Sequence, residues 1–200
     1  MRHLFYFALS FVITTQSAFA ELSYCDDLWF TRNLILNRAG ECIITPQAEA
    51  LFDNSDCLLT GAIISISEAE RVNAIMSLER ANRCALNADR RQLDESVLID
   101  MYQRLIDIPA RSSDEGTCVG YYGATRSLRA GANQDSPVVG VLYQRQTVTF
   151  GHDPMGDWVF VTVRSSNIRQ RLSSSGWLAN PETLNCREET GWADPNGRRD

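Results

Sequence analysis

Apolar positions along the chain follow one period before residue 109 and another after residue 117. In the first stretch they recur every three to four residues. Leu93, Val97, Met101, Leu105 and Ile108 form the stripe of an amphipathic helix, which must stop before Pro109. Val72, Ile75, Met76 and Leu86 follow Ser67-Glu68-Ala69-Glu70, which reads as a capping box with serine and glutamate three apart. Upstream, CDDLWFTRNLILNRAGEC predicts a helix with Asp26 as N-cap, closed by Gly40 in a left-handed conformation. PQAEALFD predicts a short second helix with Pro46 near its first turn.

The second stretch reads differently. SLRA, VVGVL, TVTFGH, WVFVTV and SGWLA are short strand-like runs between turn residues. Five such strands within about 60 residues suit a small barrel. The polar PARSSDEGT between the two stretches reads as a linker, and polar residues 187–200 as a tail in which Trp192 could dock. The expected fold is therefore α+β. It divides into a leader (1–20), a disulfide-braced all-helical domain (21–109), a linker (110–117), a five-stranded barrel (118–186) and a tail (187–200).

The first twenty residues, MRHLFYFALSFVITTQSAFA, have a basic start, an apolar centre and an Ala-Phe-Ala end. They read as a secretory signal peptide cut after Ala20, giving a periplasmic or secreted protein with no later membrane span. The chain has 19 basic and 25 acidic residues, for a net charge of −6, which disfavours a nucleic-acid partner. Every basic residue is arginine, so lysine chemistry is excluded. All six cysteines lie after the leader, and an even count in an exported chain predicts three disulfides. Sequence alone leaves several connectivities open. Cys118 and Cys186 flank the strands, and a bridge between them would close a loop of roughly 67 residues, worth on the order of 4 kcal/mol in loop entropy. The expected remaining pairs are Cys25–Cys57 and Cys42–Cys84. Cys25 and Cys42 sit at opposite ends of one helix, roughly 20–25 Å apart, and should not pair with each other.

The C-terminal part resembles a bacterial Src-homology-3-like (SH3b) domain. Four pieces carry the resemblance, in order: Ser127-Leu128-Arg129-Ala130-Gly131, Ser136-Pro137-Val138-Val139-Gly140, Gly156-Asp157-Trp158-Val159 and Gly176-Trp177-Leu178. The resemblance implies a five-stranded SH3-like barrel that recognises peptidoglycan or a peptide. The residues expected to line its groove are Tyr121, Tyr122, Asn133, Asp135, Trp158 and Trp177. Arg169 joins them from a loop at 164–175 that is longer than the family pattern. Leu28-Trp29, Arg32-Asn33, Ile35, Arg38 and Gly40 resemble the YARHG domain over residues 25–54. That family's Tyr, Ala and His positions fall here on Leu36, Asn37 and Ala39. The whole arrangement, with Arg38-Ala39-Gly40-Glu41-Cys42 ahead of a barrel, also resembles an exported bacterial family of unknown function.

Little in the sequence points to catalysis. His152 is the only histidine after the leader, so a Cys-His wall hydrolase would need one free cysteine beside it. Asp26, Asp27, Glu68 and Glu70 are explained by helix starts. SLRAGANQDSPVVG has two well-separated glycines and no lysine, so it is no phosphate loop. Its tip, Asn133-Gln134-Asp135, should face solvent. The expectation is an exported non-enzymatic binding protein of the envelope, with neither cofactor nor metal. Its partner would be cell-wall glycan or peptide, or an envelope protein. The alternative is a secreted interaction or inhibitor module acting on an envelope enzyme.

Overall fold

The computed structural model describes residues 23–58, 60–85, 96–165 and 172–191. Among them, four α-helices precede a seven-stranded antiparallel sheet. The proposed leader, Leu86, Leu93, Arg169, Arg171 and Trp192 lie outside the described residues.

Helix α1 (Tyr24–Arg38) starts at Ser23, whose hydroxyl accepts the Asp26 N–H at 3.2 Å. Ser23 thus fills the role expected of Asp26, and both aspartates fall in the first turn. Gly40 follows the helix at φ +91°, as its position predicted. Leu28, Phe30, Leu34 and Ile35 are buried on α1, but so are Asp27, Thr31 and Asn33. Helix α2 (Pro46–Leu51) is capped by Thr45 and carries Pro46 in its first turn. Helix α3 (Ile66–Ala81) begins two residues earlier than expected. Ser65, not Ser67, is its N-cap, and Glu68, not Glu70, closes the capping box. Ser65 has the extended backbone an N-cap needs, whereas Ser67 is already inside the first turn. Helix α4 (Ser96–Gln103) stops well before Pro109. Leu105 and Ile108 are buried beyond its end, because the Ile106 and Asp107 N–H groups turn away to the Ala130 carbonyl.

The helical disulfides differ from the expected pairs. They are Cys25–Cys84 and Cys42–Cys57, not Cys25–Cys57 and Cys42–Cys84. Arg32 of α1 bonds Glu79 of α3 at 3.1 Å while Cys25 meets Cys84, so the two helices run antiparallel. The start of α1 therefore meets the end of α3. Cys42 meets Cys57 because the chain doubles back there, with the Leu58 N–H on the Gly40 carbonyl at 2.7 Å. Cys118–Cys186 forms as expected.

The strands are β1 (Arg111–Val119), β2 (Arg126–Arg129), β3 (Val138–Leu142), β4 (Thr147–His152), β5 (Trp158–Arg164), β6 (Leu172–Ala179) and β7 (Glu188–Thr190). Their order is β3-β2-β6-β5-β4-β1-β7. The five predicted strands are β2 to β6. The expected linker at 110–117 is largely strand β1, and the expected tail at 187–200 begins with β7. Both are polar, and backbone pairing rather than apolar burial places them: β1 pairs with β4 and with β7. The sheet therefore has seven strands where the sequence predicted five.

Leu128, Leu142, Val148, Phe150, Val159, Val161, Val163 and Leu178 form a core within the sheet. A second core spans both halves. Phe52 stacks on Phe30 at 5.3 Å, Tyr102 packs edge-on against Phe160 at 5.3 Å, and Phe160 lies 5.9 Å from Trp177. The helices and the sheet share this aromatic row.

Candidate functional site

Beside the aromatic row, four polar side chains from distant parts of the sequence meet out of solvent. Asp27 comes from the first turn of α1, Tyr102 from α4, Arg111 from the start of β1 and His152 from the end of β4. His152 Nε2 lies 2.8 Å from the Tyr102 hydroxyl and 3.1 Å from Asp27 Oδ2. Arg111 Nη1 donates to the same Oδ2 at 3.3 Å, and the Thr31 hydroxyl donates to Oδ1 at 3.2 Å. Arg111 Nη2 also reaches Glu115. Burial pushes the Asp27 carboxyl up, but His152, Arg111 and Thr31 together hold it below the usual carboxylate range.

A histidine between a carboxylate and a hydroxyl has the parts of an acid–base relay. Here the relay has no access. The side chains of His152 and Asp27 are 3% and 1% exposed. Tyr102 is fully buried, so a substrate could not reach its hydroxyl. No cysteine carries a free thiol, which removes the Cys-His mechanism. The cluster couples helices to sheet: a buried ion pair of Asp27 with Arg111, hydrogen-bonded to Tyr102 and His152, fixes how two surfaces dock. Among the described residues, no group of three or more His, Cys, Asp or Glu could hold a metal ion.

The predicted groove residues do not gather. Trp177 is wholly buried in the shared core and donates its indole N–H to the Asp107 carbonyl at 2.7 Å. Tyr121 is buried and donates its hydroxyl to the Ala124 carbonyl. Neither offers a face to a ligand, because each ring fills the interior. Trp158 is half-buried against the shared core. Asn133 and Asp135 are exposed at the loop tip, as expected, and close on each other through an Asp135 N–H to Asn133 Oδ1 bond of 3.0 Å. The root of that loop is docked: the Ala132 N–H donates to Asp107 Oδ2 at 2.7 Å. A Cβ on Gly131 would stand 2.7 Å from the same oxygen, so a larger residue would have to push the Asp107 carboxylate aside. Tyr122 is 57% exposed, but it precedes β2 whereas the Asn133–Asp135 tip follows it. The four residues of β2 separate them by about 13 Å. They stand at opposite ends of β2.

An open cleft of about 570 Å³ lies instead at the Tyr122 end. Its walls are Val119 and Gly120, Arg145 and Thr147, and Arg187 and Glu188. The first and last pairs directly follow Cys118 and Cys186, so the disulfide holds these two walls together. Sequence reasoning missed Asp27, Tyr102 and Arg111, and it missed Arg145 and Arg187 in the cleft. The signal was faint: arginines bordering a cysteine and a tight turn.

No helix among the described residues is long and apolar enough to cross a membrane. A family model for a domain of unknown function, DUF4453, matches residues 83–191, and a model of the YARHG domain matches residues 6–80. The boundary between these matches follows α3, upstream of the expected linker. No curated protein and no solved structure matches the chain. The first match covers more than half of the sequence, so the chain belongs to the DUF4453 family and carries a YARHG domain ahead of it.

Proposed function

We propose that this DUF4453 member is an exported, non-enzymatic binding protein of the bacterial envelope, secreted by cleavage after Ala20. Its sheet would be an elaborated SH3-like barrel that recognises peptidoglycan or a peptide. The observation that carries this reading is the pairing of all six cysteines into three disulfides. Such bonds persist in oxidising compartments and leave no thiol for chemistry.

The barrel reading is supported by how the strands connect. β3 and β4 stand four places apart in the order, about 19 Å in a flat sheet. Yet only residues 143–146 join them, in a tight turn closed by a Gln146 N–H to Tyr143 carbonyl bond of 3.4 Å. Such a turn brings its ends within about 7 Å, so the sheet must curl. β1 and β7 then extend the curled sheet beyond the five strands of the simple barrel.

Sedimentation of residues 21–200 with purified peptidoglycan tests the function. Retention at low and moderate salt is expected, and its absence would count against the wall ligand. The interaction-module reading draws on Ile44, Ile63 and Ile66 of the helical half, which are 78%, 79% and 81% exposed. Crosslinking in the periplasmic fraction would favour that reading if one envelope enzyme dominated the product.

A further inference from the structure

The chain is acidic, and most of its described arginines are used internally. Arg38, Arg71, Arg126 and Arg129 donate to backbone carbonyls, while Arg32 and Arg111 pair with carboxylates. Arg145 and Arg187 are different: neither guanidinium bonds any described residue, and both line the same cleft.

Both arginines are held in place. Arg145 has φ +69°, a left-handed conformation that costs a non-glycine residue energy. The turn that imposes it is firmly tied. The Arg145 N–H bonds the Tyr121 carbonyl at 2.6 Å, and the Tyr143 N–H bonds Gln146 Oε1 at 2.7 Å. The Gln144 amide reaches the Gly123 carbonyl at 3.2 Å. Arg187 lies with its stem across Gly120, where a Cβ would come within 3.1 Å of Cδ. Gly120 has φ +64°, so both its backbone and its missing side chain suit this packing. The tied turn fixes where the Arg145 side chain leaves the backbone, on the same cleft as Arg187.

We propose that this cleft binds the terminal carboxylate of a peptide. Two arginines supply planar donors suited to a carboxylate. The Thr147 hydroxyl adds a neutral donor. Glu188 on the wall repels a dianion such as phosphate more than a monoanion, and leaves an acceptor for a peptide N–H. Val119 is 38% exposed and gives a small aliphatic side chain an apolar surface. Tyr122 and Tyr143, 57% and 55% exposed, flank the same turn and extend the surface for preceding residues. The proposal deepens the binding reading and rests on it, but requires neither export nor the cell wall.

The test uses residues 21–200 with disulfides intact, titrated with N-acetyl-Gly-Ala or with its C-terminal amide and followed by backbone amide NMR. The acid should shift Gly120, Thr147 and Glu188, and the amide should not. Equal shifts with both, or none with either, would overturn the proposal. Inorganic phosphate shifting the same amides at lower concentration than the acid would also overturn it. Arg187→Gln should weaken the acid by on the order of tenfold. Arg145→Gly should weaken it similarly while relieving the left-handed strain, so lost binding cannot be attributed to misfolding. Undiminished binding by both variants would sink the assignment. A chain that binds the acid but not peptidoglycan would remove the wall ligand and leave this site standing. A chain that holds peptidoglycan equally well with and without Arg145→Gly, while ignoring the acid, would do the reverse.

Discussion

The helical half and the sheet half of this molecule are held together by different means. The sheet has a core of its own, built from alternate residues of β4 and β5 with single residues of the neighbouring strands, and one disulfide at its end. The helices carry two disulfides and draw their core partly from the sheet: Phe30 packs on Tyr102, and Tyr102 packs edge-on against Phe160. Helix α3 buries only Val72 and Ile75. The difference teaches that the helical half depends on the junction, while the sheet needs it less. The junction should therefore fail asymmetrically.

Phe160→Ala breaks the shared aromatic row and should cost about 3–5 kcal/mol. Amide hydrogen exchange should show α1 and α4 losing more protection than β5 and β6. Equal loss in both halves would mean that one cooperative core, not two unequal ones, holds the chain. Next come the disulfides. Replacing Cys118 and Cys186 by alanine opens a loop spanning 68 positions and should cost about 4 kcal/mol; Cys42 and Cys57 span 15 and should cost about 3 kcal/mol. Denaturant midpoints would rank the two. A larger loss at Cys42–Cys57 would show that the helical half depends on its staples even more than loop length implies.

The buried cluster sharpens the comparison through pH. The Asp27 carboxyl sits lower in the folded chain than in the unfolded one, so the folded state binds fewer protons. Its contribution is complete above the ordinary carboxylate range, near pH 4, and is lost as pH falls through the depressed folded value. Stability measured from pH 6 downward should fall, and Asp27→Asn should flatten that fall while lowering stability at neutral pH. An unchanged acid slope in the variant would mean other carboxylates govern acid unfolding.

How much of this was legible in the sequence follows from what made each element. Strands β2 to β6 alternate or run apolar between turn residues, so periodicity found them. β1 did not show, because Arg111-Ser112-Ser113-Asp114-Glu115 has no apolar pattern, and the strand pairs with β4 only at Arg111 and from Gly116 to Cys118, with a break in register between. The buried cluster was invisible for another reason. Asp27 was accounted for by the helix start, and His152 lies 125 positions away. Only the fold brings them together. The same holds for Arg145 and Arg187, which neighbouring turns and one disulfide carry to a common cleft. The pairing of Cys25 with Cys84 required knowing that α1 and α3 are antiparallel, which no local pattern states.

The smallest effect separates two registers of one helix. Ser65 and Ser67 both precede a glutamate by three, and the sequence favoured the second. In the fold, Ser65 Oγ accepts the Glu68 N–H at 3.3 Å, and Glu68 returns a bond to the Ser65 N–H at 3.2 Å. Ser67 only touches the Ser65 hydroxyl, at 3.3 Å. Ser65→Ala should therefore cost about 1 kcal/mol, and Ser67→Ala much less. Because α3 is buried on one face only, the loss should be confined to α3 in amide exchange, with the sheet unaffected. The reverse order of the two variants would return the helix start to Ser67. A Ser65→Ala effect reaching β5 would mean that α3 is coupled to the sheet through α1 more tightly than its small buried face suggests.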